Sequence, residues 1–105
     1  MNNAVTKRVL SGAKVRRAYN ALQQLRNRNC KKVVNTIAEH NNRGHFPIQK
    51  DIVAETRLDQ SAVSVIISDL IRGKIILRIR KGREIYYRVN GDKLKRIYAI
   101  TRTLR

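Results

Sequence analysis

One cysteine in 105 residues rules out a disulfide framework and a zinc site built on several thiolates. A single proline, Pro47, leaves only one hard break in the chain. No run of 18 apolar residues occurs, so no segment is expected to span a bilayer. The first 15 residues carry Lys7, Arg8 and Lys14 but no continuous apolar stretch, so no secretory signal is read there. No nucleophile–base–orienter set, Gly-rich phosphate loop or carboxylate pair stands out, so neither an enzyme nor a cofactor is expected, and no small-molecule ligand is evident. Acidic residues are scarce as well. Seven Asp and Glu stand against 24 Lys and Arg, a formal net charge of +17. Such a chain repels itself and attracts polyanions, with nucleic acid the leading partner class and anionic membrane the second.

What is present is enough apolar residue, 42%, for one compact core. The charge is unevenly spread. Residues 1–46 carry +9, residues 47–70 carry −2, and residues 71–91 carry +6, so two basic segments flank a nearly neutral one. Val15, Tyr19, Leu22 and Leu25 recur at helical spacing. Asn27, Arg28 and Asn29 interrupt that pattern, and Asn29 is expected to cap a second helix starting at Cys30, with Val33, Val34, Ile37 and Ala38 as its apolar stripe. Asn41-Asn42-Arg43-Gly44 ends it, and His45-Phe46-Pro47-Ile48 reads as extended. A short helix fits Gln49–Thr56, with Ile48, Ile52 and Val53 inward. Arg57-Leu58 then turns, and Asp59 caps a helix running to Gly73 that buries Val63, Ile66, Ile67 and Leu70.

Beyond Gly73 the period changes. Ile75–Arg80 reads as a strand, Lys81-Gly82 as a turn, and Arg83–Val89 as the return strand with Ile85, Tyr87 and Val89 on one face. Asn90-Gly91-Asp92 introduces a last helix with Leu94, Ile97, Tyr98 and Leu104 on one stripe. Two short helices joined by a tight turn make a helix-turn-helix, and a hairpin directly after the second makes it winged. The second helix leaves Gln60, Ser61, Ser64, Val65 and Ser68 outward. Gln and Ser hydrogen-bond base edges, and valine touches a thymine methyl. Arg78, Arg80, Lys81 and Arg83 are expected at the hairpin tip, within reach of phosphates or the minor groove, and Lys50 is a further candidate contact.

Asp59-Gln60-Ser61-Ala62-Val63-Ser64 resembles the "SQSTVS" start of the recognition helix in ArsR/SmtB-type bacterial repressors. Arg80-Lys81-Gly82-Arg83-Glu84-Ile85-Tyr86-Tyr87-Arg88-Val89 is similar to their wing, "R-x-G-R-x-x-Y-Y-x-L". The resemblance covers about residues 30–100. It implies a homodimeric winged-helix transcription factor whose first and last helices form the dimer interface, with Gln60, Ser61 and Ser64 reading the operator and Arg80, Lys81 and Arg83 as wing contacts. The chain departs from that pattern in two ways. The reading helix has no Lys or Arg between Gln60 and Ile71, and the family's metal ligands are missing, with no Cys-x-Cys pair and no His in the last helix.

The expected fold class is mainly α with a small β-hairpin (α+β). Residues 1–105 would form a single winged-helix DNA-binding domain: a basic helix over 1–28, a core of three helices plus wing over 30–91, and a terminal helix over 92–105. Tyr19, Leu22, Leu94, Ile97, Tyr98 and Leu104 are the expected dimer interface, with packing inside the chain as the alternative. The expected function is sequence-specific binding of double-stranded DNA by a small cytoplasmic, nucleoid-associated homodimer, with helix 59–72 in the major groove and wing 75–89 on the backbone or minor groove. The alternative is a non-specific architectural or mobile-element accessory protein, and use of the wing for protein or RNA contacts is a third reading. Tyr87 is expected in the core and Tyr86 half-exposed, with base stacking as the alternative. Cys30 is expected to be buried as a small apolar residue; a thiol with lowered pKa beside Lys31 and Lys32 is the alternative. Cys30, His40 and His45 are too few and too scattered to predict a metal site.

Overall fold

The computed structural model describes residues 12–96, except for some side chains of the first helix. The expected contacts Ile97, Tyr98 and Leu104 lie outside the described residues, as do the side chains of Tyr19 and Leu22. In chain order the elements are α1 (Gly12–Arg26), α2 (Arg28–Asn42), α3 (Gln49–Thr56), α4 (Gln60–Arg72), β1 (Ile76–Lys81) and β2 (Glu84–Val89). Residues 91–96 are again helical. No helix among the described residues is long and apolar enough to cross a membrane.

A single residue separates α1 from α2. Asn27 is extended (φ −64°, ψ 129°), and its side-chain oxygen accepts the Asn29 and Cys30 N–H groups at 3.0 and 3.2 Å. The cap is therefore Asn27 rather than Asn29, and the helix starts at Arg28 rather than Cys30. Both asparagines suit the role, and the earlier one takes it because its carbonyl also accepts the Lys31 N–H at 2.9 Å. The helix ends as expected: Gly44 follows Asn42 and Arg43 with φ +77°.

The core is drawn from every described element. Val33, Ile37, Ile52, Val63, Leu70, Ile75 and Ile76 are completely buried, and Ala21 and Leu25 of α1 pack into the same cluster. The three-helix core plus wing expected from the sequence is thus extended by α1, whose last turns pack Ala21 and Leu25 onto it. Ile66, expected inside, is only partly buried at the edge of that cluster. Leu94 also packs on the core from the helix that follows the wing. Asn90 starts that helix by accepting the Lys93 N–H on its side chain at 3.2 Å.

β1 and β2 pair antiparallel from Ile76 opposite Val89 to Lys81 opposite Glu84. The strand starts one residue later than expected because Ile75 still belongs to the helix end: its N–H donates to Leu70 O at 2.9 Å. The turn is Gly82-Arg83 rather than Lys81-Gly82. Gly82 is left-handed (φ +63°) and Arg83 is not, which is the requirement of a type II′ hairpin turn with glycine first. At the end of α4, Gly73 is in an ordinary right-handed conformation (φ −81°), and the left-handed residue is Lys74 (φ 59°).

The outer edge of β2 is satisfied by side chain and loop. The Tyr87 N–H donates to Pro47 O at 3.0 Å, so the extended segment 45–48 lies along the strand. Asn41 accepts the Val89 N–H at 2.8 Å and donates to Tyr87 O at 3.3 Å and His45 O at 3.1 Å. One carboxamide thus takes the place of a neighbouring strand and ties the hairpin to the end of α2.

Candidate nucleic-acid interface

α3 and α4 form the helix-turn-helix. α3 opens on Ile48, which has no side-chain acceptor; instead the Asp51 carboxylate accepts the Ile48 N–H at 3.1 Å. The helix stops at Arg57, left-handed at φ 60°, whose N–H donates to Val53 O at 2.9 Å. Thr56 spends its hydroxyl proton on Ile52 O at 2.7 Å while being buried under the turn. Asp59 then occupies the cap position of α4, but its side chain makes no capping bond; only its carbonyl takes part, accepting the Val63 N–H at 3.0 Å.

α4 is divided lengthwise. Val63, Ile67 and Leu70 are buried, whereas Gln60, Ser61, Ser64, Val65 and Ser68 are all exposed. The spacing of these five residues, at i, i+1, i+4, i+5 and i+8, puts them on one face. Val65, 61% exposed, is the one aliphatic side chain among the five. Among the described residues, Ser64 is the one member of the face held by a side chain of another helix: Gln49, the first residue of α3, donates from Nε2 to Ser64 Oγ at 2.7 Å. Gln49 is a functional candidate that the sequence does not disclose, since local spacing says nothing of which α3 residue meets α4. Lys50 beside it is exposed.

The expected wing cations are spread along the hairpin rather than gathered at its tip. Arg83 stands in the turn, Lys81 opposite Glu84 beside it, Arg80 opposite Ile85, and Arg78 halfway down opposite Tyr87. Strand alternation puts Arg78 and Arg80 on the face that carries Tyr87, and Lys81 on the other. All four are exposed, and among the described residues none makes an ion pair. Tyr87 is in the core and Tyr86 partly exposed, as expected. Burial pushes the Tyr87 phenol up from its ordinary range, with the positive charge of Arg78 opposing.

The remaining reactive groups are tied into the scaffold. Cys30 is buried, as expected of a small apolar residue, and burial, followed by the negative charge of Asp69, pushes its thiol up rather than down. His40 and His45 meet through their Nδ1 atoms at 2.7 Å, and the other nitrogen of His40 bonds Glu55 of α3. Among the described residues no group of three or more His, Cys, Asp or Glu side chains is placed to hold a metal ion.

No protein-family model and no curated protein matches the chain. Solved structures do. An ArsR-like transcriptional regulator from Rhodococcus sp. RHA1 superposes with a TM-score of 0.72 at 12% identity, covering 84% of this chain and 78% of that one. A homodimeric winged helix-turn-helix DNA-binding domain from Mycobacterium bovis, a possible ArsR-family regulator, gives 0.68 at 18% identity over 90% of this chain and 83% of its own. The Staphylococcus aureus MepR–DNA complex gives 0.60 at 20% identity, with 92% and 80% covered. At these identities it is the architecture that is shared: a mostly helical chain with a two-stranded antiparallel hairpin after the second helix of a helix-turn-helix. The chain has the winged helix-turn-helix fold.

Proposed function

We propose that the chain is a sequence-specific, double-stranded-DNA-binding transcriptional regulator that acts as a small homodimer in the cytoplasm. The single observation that carries this reading is the exposed face Gln60, Ser61, Ser64, Val65 and Ser68 on a helix whose opposite face is buried, next to a hairpin whose exposed cations make no ion pair among the described residues. α4 enters the major groove with its first two turns toward base edges, and Arg78, Arg80, Lys81 and Arg83 take the backbone or the adjacent minor groove. Lys50, at the start of α3, meets a phosphate. The net charge of +17 supplies the long-range attraction. The role is binding, not catalysis. The single-domain division at residues 28–30 and 91–92 is part of the same proposal, as is a dimer interface built from Tyr19, Leu22, Leu94, Ile97, Tyr98 and Leu104. Two of the similar structures support it, since one is described as homodimeric and another is a DNA complex.

Titration of duplex DNA at about 50 and 200 mM salt tests the reading. With about six to ten phosphates contacted, affinity falls about 10³–10⁵-fold across that range. Absent or salt-insensitive binding rejects it. One observation favours the second reading, a coating protein with little sequence choice: α4 contains no Lys or Arg before Arg72, so its affinity rests on residues outside the reading helix. Selection from random duplexes separates the two, because a regulator enriches a palindrome and a coating protein enriches nothing.

A further inference from the structure

The Gln49–Ser64 hydrogen bond decides more than helix packing. A serine hydroxyl has one proton to give and two lone pairs to offer, and its rotor normally turns to suit either a donor or an acceptor. Here one lone pair is taken by the Gln49 amide at 2.7 Å. The proton is left without an acceptor among the described residues: Ser64 makes no bond back to its own helix, unlike Thr56, which donates to Ile52 O at 2.7 Å. An oxygen already accepting an N–H is polarised toward donation. Ser64 lies on the exposed face in the second turn of α4, so its proton is free to meet a group docked on that face.

We propose that Gln49 is a specificity-determining residue: it fixes the Ser64 hydroxyl as a donor, so that position 64 selects bases that present an acceptor in the major groove. This rests on the reading of α4 as the base-contacting helix. In the major groove guanine offers N7 and O6 and thymine offers O4, all acceptors. Cytosine offers only its N4 amino donor, and adenine offers one of each. A hydroxyl with its proton free and one of its two lone pairs already engaged therefore favours guanine, thymine or adenine over cytosine, which only its remaining lone pair can meet. Gln49 touches no base in this scheme; it acts through Ser64 by choosing which way its proton points.

Replacing the amide by a carboxylate inverts the logic. A glutamate at position 49 has no proton to give at neutral pH, so Ser64 donates to it and turns lone pairs outward. Gln49→Glu then favours cytosine or adenine at the contacted position and penalises guanine and thymine, a change of about tenfold in relative affinity on each side. General weakening from the added negative charge falls equally on all sequences and is distinguishable from this exchange.

The test uses the full chain. A site is selected from random duplexes with the wild type, and all four bases are then competed at every position of that site for wild type, Gln49→Glu, Gln49→Met and Ser64→Ala, with thermal melting to confirm folding. The expected result is one position per half-site where the wild type disfavours cytosine about tenfold, Gln49→Glu prefers it, Gln49→Met narrows the preference and Ser64→Ala abolishes it. A purely structural role for Gln49 would change melting temperature without exchanging bases. If Ser64→Ala alters one position but both Gln49 variants keep the wild-type base order there, the inference is overturned while the DNA-reading helix stands. If Ser64→Ala alters no position, position 64 reads nothing and the inference is overturned. A wild type that enriches no sequence overturns both this inference and the specific regulator.

Discussion

Gly73 and Gly82 both stand where the sequence suggests a chain reversal, yet they do opposite work. Gly82 needs φ +63°, which a side chain opposes, whereas Gly73 sits at φ −81° and a methyl there would meet its nearest neighbour, Asp69 O, at an ordinary 3.6 Å. Gly73→Ala is therefore expected to stabilise the fold by about 0.4–1 kcal/mol by narrowing the unfolded ensemble. Gly82→Ala should cost about 1–2 kcal/mol. Urea unfolding of the two variants checks this, and equal signs would contradict it. A second residue-scale consequence concerns Cys30. Its raised thiol means that the unfolded chain loses this proton at lower pH than the folded chain does. The stabilising contribution is complete below the ordinary thiol range and is lost as pH rises through it. Urea midpoints should fall from neutral to alkaline pH, and Cys30→Ala should lessen the fall; an unchanged pH dependence in the variant would refute the assignment. Which glycine carries the left-handed residue was not legible from sequence, because Gly73 and Lys74 are adjacent and either could end the helix.

At the scale of elements, α3 was legible to the residue, since Pro47 holds Phe46 extended and Arg57-Leu58-Asp59 breaks the apolar pattern after Thr56. The start of α2 was not, because Asn27 and Asn29 carry the same capping chemistry and only the geometry of the α1–α2 joint chooses between them. The buried and exposed faces of α4 follow from its period, so the candidate reading residues were recoverable from the sequence alone. The Gln49 contact and the Asn41 anchor were not, because both join elements whose mutual placement no local pattern records. Asn41 looked only like a helix terminator. It in fact satisfies three backbone groups, two of them on β2. Asn41→Ala should leave the Val89 N–H without its partner and cost about 1–3 kcal/mol, whereas Asn27→Ala, which removes only a helix cap, should cost about 1 kcal/mol. Hydrogen exchange adds a sharper reading: the Asn41 variant should expose β2 amides selectively, and uniform protection loss would argue against the anchor.

For the whole molecule, α4 carries only Asp69 and Arg72 and residues 47–70 together carry −2, while residues 1–46 and 71–91 carry +9 and +6. Under the proposed function, affinity and specificity are carried by different residues, the cations of the wing for phosphates and the polar face of α4 for bases. That division was visible in composition, whereas the spread of the cations along the hairpin, with Arg78 and Lys81 on opposite faces, required the strand register. Binding of wild type, Arg80→Ala/Arg83→Ala and Gln60→Ala to a selected site and to a scrambled duplex, over a range of salt, tests the division most directly. The double arginine variant should weaken both duplexes by the same factor and lower the salt slope of the bound dimer by about 4, two contacts per protomer. Gln60→Ala should cost about 1–3 kcal/mol on the selected site and nothing on the scrambled one. A double arginine variant that binds both duplexes as tightly as the wild type, or a Gln60 variant that loses both equally, would contradict the account.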